Sequence, residues 1–180
     1  MIKCAWIRLE QVHIDYGNAL GLRRQNEREL SGAKPSNNAP SDREWSLRKH
    51  KLGALCECAQ YLYLRPCYWN RFDVTSADFE GFIEVKGRPE PWHELMIQCP
   101  RDKPKKLVRT HAYQLVLAYD HPNYCIHGWA WGHEIENYPV QEIERDRPAM
   151  YINQSDPILK SPDELREIMR ERQALARKVK

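Results

Sequence analysis

At 180 residues, with 42% hydrophobic and 29% charged residues and a net charge of +3, the chain suits one domain spanning 1–180 with a real core. No stretch approaches the roughly 20 apolar residues of a membrane helix, and the N-terminus has no basic region, apolar run and small-residue cleavage site in series, so a cytoplasmic protein is expected. The positive balance permits nucleic-acid binding without demanding it.

Residues 5–30 read as a helix, with Ala5, Leu9, Val12, Tyr16, Ala19 and Leu20 at helical spacing. Residues 31–41, rich in Pro, Asn, Gly and Ser, read as a loop. A second helix is expected from Asp42 to Leu64, with Leu47, Leu55, Ala59 and Leu62 on its apolar side and Pro66 as its stop. Strands follow at Phe79–Gly87, Glu94–Cys99, Leu107-Val108, Ala112–Tyr119 and Tyr124–Trp129. Their spacing predicts an α/β (α+β) domain with a mixed, hairpin-rich sheet and helices packed on it. The last helix, 162–178, opens on Ser161-Pro162-Asp163-Glu164: an N-cap serine, a first-turn proline and a glutamate three residues after the cap. Its basic distal half suits packing over the core, a homodimer contact or a DNA surface; packing is the simplest. The cysteines at 4, 56, 58, 67, 99 and 125 have no Cys-x-x-Cys spacing and read as reduced, mostly buried thiols.

One stretch carries chemistry. In Asp78-Phe-Glu-Gly-Phe-Ile-Glu84-Val-Lys86, strand alternation sends Glu84 and Lys86 to one face and Ile83 and Val85 to the other. Two carboxylates, Asp78 and Glu84, can share Mg²⁺, which takes one or two carboxylates and keeps several waters. Lys86 beside them can hold an attacking water and stabilise charge on a phosphate. The bland alternative is an ion pair on a solvent-facing strand. Asp73 competes with Asp78 for the first acid. Glu57, in Gly53-Ala-Leu-Cys-Glu57, sits mid-helix. Gln114, inside an apolar strand, either hydrogen-bonds in the core or faces the site. His127, Trp129, Trp131 and His133 read mainly as core, with base stacking as the minority role. Basic clusters at Arg43–Lys51, Arg101–Lys106 with Arg109, and Arg166–Lys180 suit a phosphate backbone. Lys103, Lys105 and Lys106 are the expected substrate contacts among them.

Glu57, Asp78, Glu84 and Lys86 together resemble the PD-(D/E)XK nuclease superfamily, over roughly residues 48–135. Ala77 stands where that family often has a proline. The resemblance implies a restriction-endonuclease-like mixed sheet flanked by helices, and a metal site of Glu57, Asp78 and Glu84 holding Mg²⁺ or Mn²⁺. It makes Lys86 the fourth catalytic residue, and Arg88, after Gly87, a substrate contact. The implied activity is metal-dependent hydrolysis of phosphodiester bonds, most naturally in DNA. The family includes restriction enzymes, resolvases, repair nucleases and phage exonucleases, and the compact match suggests a phage or mobile-element type. Two other readings stay open: a nuclease fold kept as a DNA-binding or assembly subunit, and a small virion or host-interaction protein in which Glu-x-Lys is coincidence.

Overall fold

The computed structural model describes residues 4–32, 43–70, 77–99, 107–144 and 147–178. The elements run β1 (Ala5–Arg8), α1 (Gln11–Leu30), α2 (Arg43–Leu64), β2 (Ile83–Arg88), β3 (Leu95–Gln98), β4 (Ala112–Asp120), β5 (Asn123–Trp131), α3 (Gly132–Ile135), β6 (Val140–Glu144), β7 (Arg147–Ile152) and α4 (Pro162–Lys178). They form a mixed α+β architecture with two sheets. The first has the order β1-β5-β4-β2, the second β3-β7-β6. Among the described residues, only the β2–β4 pairing is parallel.

The central strand β4 explains the layering. Its residues 112–117 are buried on both faces, as a strand covered on both sides must be. Ala112 and Val116 join one core with Leu55, Ala59 and Leu64 of α2, Leu20 of α1 and Leu165 and Met169 of α4. Tyr113, Leu115 and Leu117 join a second core with Leu95 and Ile97 of β3 and Met150 and Ile152 of β7. Helices, first sheet and second sheet are therefore three layers sharing one middle strand.

Sequence spacing and structure part at the N-terminus. Residues 5–8 are a strand, antiparallel to β5 with Ala5 opposite Ile126 and Ile7 opposite Tyr124. A short segment with alternate residues turned inward satisfies a strand as well as a helix face, and the open edge of β5 decides between them. Helix α1 starts only at Gln11. It packs on α2 at two glycines: a Cβ on Gly21 would lie 2.6 Å from the Lys51 Cα, and one on Gly17 would lie 2.8 Å from the Leu55 Cδ2. These residues weaken a helix by propensity, and here they let two helix backbones meet.

Two further differences lie near the expected strands. Phe79–Gly87 is not one strand. Phe79 bridges Trp69 and Ile83, and the chain turns through Glu80 (φ 49°) and Gly81 (φ 73°) before β2 begins at Ile83. Leu107 and Val108 form no strand; Val108 accepts the His111 N–H at 3.0 Å in a turn. Elements α3, β6 and β7 have no counterpart in the sequence pattern, because residues 132–152 mix polar, proline and apolar residues without a clean period. Helix α4 matches its prediction: the Ser161 N–H donates to Glu164 at 3.0 Å and the Glu164 N–H to Ser161 Oγ at 3.4 Å, a capping box.

Candidate acidic site at the edge of the first sheet

The site forms where α2 crosses β2. The crossing is close because position 87 has no side chain: a Cβ there would lie 2.8 Å from the Cys56 Sγ and 3.0 Å from its Cβ. That contact sets the helix turn carrying Glu57 directly over the edge strand. Burial pushes the Cys56 thiol far up, so it is no nucleophile.

Glu57 is 6% exposed and held from two sides. Arg24 of α1 grips it with both guanidinium nitrogens, Nη1 to Oε1 at 2.6 Å and Nη2 to Oε2 at 2.8 Å. Trp69 donates Nε1–H to Oε2 at 3.1 Å. The indole is itself fixed by stacking against Tyr61 and Phe79 at centroid distances of 5.4 and 5.7 Å. Burial works against the Arg24 charge, but the Glu57 carboxylate outweighs it and the Arg24 pKa rises. Three residues along α2, Gln60 is fully buried, and neither amide atom has a hydrogen-bond partner among the described residues.

Asp78 lies at the outer edge of β2. The Val85 N–H donates to its Oδ2 at 2.7 Å, a bond the turn at Glu80-Gly81 makes possible by folding the acid back on the strand. Burial pushes its carboxyl up to about 7, and the charges of Glu57 and Glu84 push the same way; the Val85 bond and the Lys86 charge only partly offset them. Asp78 therefore feels acids from both faces of the strand.

Glu84 and Lys86 share a face with Tyr113 and Leu115, their register partners on β4. Ile83 and Val85 turn to the helix side, in the first core. The two charged side chains are half-buried and paired, Nζ to Oε2 at 3.1 Å. His111 Nδ1 approaches Glu84 Oε1 at 3.6 Å, and the Lys86 ammonium lies 5.6 Å from the Tyr113 ring centre. Arg88, next on this face, donates to Met96 Sδ at 3.5 Å.

Three acids thus meet two cations, and the shortfall of positive charge falls on Asp78, whose charged form is the one disfavoured. Among the described residues, no three His, Cys, Asp or Glu side chains close into a ready-made metal cage. The donor set still suits a hard cation, because Asp78 and Glu84 offer oxygen ligands and Mg²⁺ completes its shell with water. Glu57, with both oxygens engaged, is the least available of the three.

Asp73, Lys103, Lys105 and Lys106 lie outside the described residues. Gln114 takes the core alternative: fully buried, its amide donates to the carbonyls of Leu115, His127 and Gly128 at 3.2, 3.1 and 3.1 Å. Trp129 is fully buried and meets Trp131 edge-to-face at 5.0 Å, as core residues do. Spacing has no means of finding Arg24, Trp69 and His111. Each reaches the site through helix packing or a strand pairing, and none sits at a fixed offset from Glu-x-Lys.

No protein-family model, characterised relative or solved structure matches this chain. The functional reading rests on the residues.

Proposed function

We propose that this chain is a metal-dependent nuclease of the PD-(D/E)XK type with a restriction-endonuclease-like core, hydrolysing phosphodiester bonds, most naturally in DNA. The observation that carries this reading is Asp78: a half-buried carboxyl with its pKa pushed up to about 7, between two other acids and next to a lysine. A strongly perturbed acid with specific charged neighbours is a candidate functional group.

Asp78 and Glu84 hold a Mg²⁺ or Mn²⁺ ion, with Glu57 supporting from the helix side. A bound ion of this kind supplies Lewis acidity toward the phosphate and acidifies a coordinated water. Lys86 orients the attacking water and stabilises the charge that grows on the phosphate. Glu84 fixes Lys86 through their 3.1 Å bond. Arg88, one step along the same strand face, takes a neighbouring phosphate.

The test is incubation with labelled single- and double-stranded DNA and RNA in Mg²⁺, Mn²⁺ or EDTA, beside an Asp78→Asn, Glu84→Gln double variant. Metal-dependent cleavage that the double variant lacks is expected. No cleavage of any substrate in either metal, or undiminished cleavage by the variant, overturns the reading.

One observation favours a second reading. Arg24 already gives Glu57 a bidentate counter-ion, as a nuclease fold retained for nucleic-acid binding or assembly would need. Tight, metal-independent binding without cleavage is its signature.

A further inference from the structure

We infer that Trp92 is a stacking platform for an unpaired nucleobase, so that the strand served by this site is single-stranded where it leaves β2. The inference rests on the nuclease reading and names the substrate form. Trp92 is 71% exposed, on the turn that follows β2. The turn is tied down on both sides of it. Gln154 Nε2 donates to the Pro91 carbonyl at 2.7 Å and to the His93 carbonyl at 2.8 Å. The His93 N–H bonds Glu90 O at 3.2 Å, the Glu90 N–H bonds His93 Nδ1 at 3.2 Å, and Asn153 bonds Glu94 at 3.2 Å. A large flat ring is thus held out toward solvent by a fixed backbone. Covering such a ring sacrifices little conformational freedom, since only two side-chain torsions remain to be ordered.

Position supplies the ligand chemistry. Glu84, Lys86 and Arg88 follow one another on one face of β2, and the turn begins directly after Arg88. The Arg88 charge is felt at His93, whose pKa falls through burial and that charge. The His93 ring lies 6.2 Å from that of Trp92. A cation for a phosphate at the end of β2 and an aromatic face for a base on the turn that follows it are therefore joined through His93, the combination that single-strand binders use. Bases inside a duplex are stacked on each other and offer no free face, so the ring selects unpaired ones.

The experiment is a fluorescence-anisotropy titration in EDTA of wild type, Trp92→Ala and Trp92→Phe. The probes are a labelled single-stranded oligonucleotide, its abasic analogue and a blunt duplex of equal length. Trp92→Ala is expected to bind the single strand about tenfold or more weakly, the loss of one stacked base. Trp92→Phe should keep most of the affinity. The abasic strand should bind wild type as weakly as the intact strand binds Trp92→Ala, and duplex binding should not change. Equal single-strand binding by wild type and Trp92→Ala, or an equal loss on the duplex, overturns the inference while leaving the nuclease reading standing. Wild type that binds no probe overturns the inference, and the cleavage assay in Mg²⁺ or Mn²⁺ then decides the nuclease reading separately. Matching thermal melts exclude misfolding of the variants.

Discussion

Glu134 and Asp78 are both carboxylates beside a lysine, and the fold treats them in opposite ways. Glu134, in α3, receives the Lys160 ammonium on both oxygens and the Trp131 N–H on Oε2 at 2.8 Å. Burial raises its pKa, but these bonds outweigh burial and the net shift is downward. That carboxylate is content as an anion. Asp78 has one backbone donor, and its neighbours include two more acids, so its charged form is penalised. The same chain can satisfy a half-buried acid fully and at Asp78 does not. A balanced pair explains itself as architecture, whereas an unbalanced cluster is where the proposed function has its footing.

The contrast breaks most violently at Arg24. Arg24→Met strands the Glu57 charge in a site where its side chain is 8% exposed. Removing one partner of a buried ion pair typically costs about 3–5 kcal/mol. Urea unfolding should read a loss of that order. A loss under about 1 kcal/mol, the range of surface pairs, means Glu57 is solvated and the cluster is not strained.

Lys86→Ala comes next. Its partner Glu84 is 24% exposed and can be hydrated, so the melting temperature should barely move. Cleavage should fall by about 10²-fold or more, as when other groups that stabilise transition-state charge are deleted. Full activity in this variant removes Lys86 from the site.

Asp78→Asn should do something a structural residue does not: stabilise the metal-free protein. With the folded pKa at about 7 and the unfolded value near 3.9, the folded state keeps its proton after the unfolded chain has released it. Stability therefore falls as pH rises through that window, and the penalty is complete above it. A tenfold difference in proton affinity between the two states corresponds to about 1.4 kcal/mol, so the gain from Asn above pH 7 is on the order of a few kcal/mol and vanishes below about pH 4. Melts in EDTA across pH check the sign. Added Mn²⁺ should reverse the order by stabilising wild type alone. A variant less stable than wild type at pH 8 in EDTA contradicts this balance of charge.

These residues also show what the sequence could reveal. The Glu-x-Lys face was legible because strand alternation is local, and α4 because its capping box is four consecutive residues. The close crossing at Gly87 and Cys56, which carries Glu57 to the strand edge, was not. Nothing local says that position 87 must lack a Cβ. Arg24 was hidden for the same reason: its role depends on α1 meeting α2 at Gly17 and Gly21, two residues that by propensity argue against a helix. Strand β1 was lost to helix periodicity because edge pairing to β5 is a long-range fact. Gln114 had two readings, and only the irregular register of β5 against β4, which turns two carbonyls toward its amide, separates them.

The smallest effect sharpens the comparison from the other side. Glu134→Gln with Lys160→Met removes the reference pair but leaves an amide oxygen to accept the Trp131 N–H. Both side chains are just over a quarter exposed, so solvent screens the lost attraction and neither partner is left as an unpaired charge. The change in stability should stay under about 1 kcal/mol, with cleavage unchanged. Arg24→Met with Glu57→Gln is the matching double variant at the acidic site. It also leaves no stranded charge, so it should recover much of the stability that Arg24→Met loses. It should not recover cleavage, because the acid above Asp78 is gone. If both doubles are equally stable and equally active, the Glu57–Arg24 pair is another Glu134–Lys160 pair, and the difference between the two regions fails.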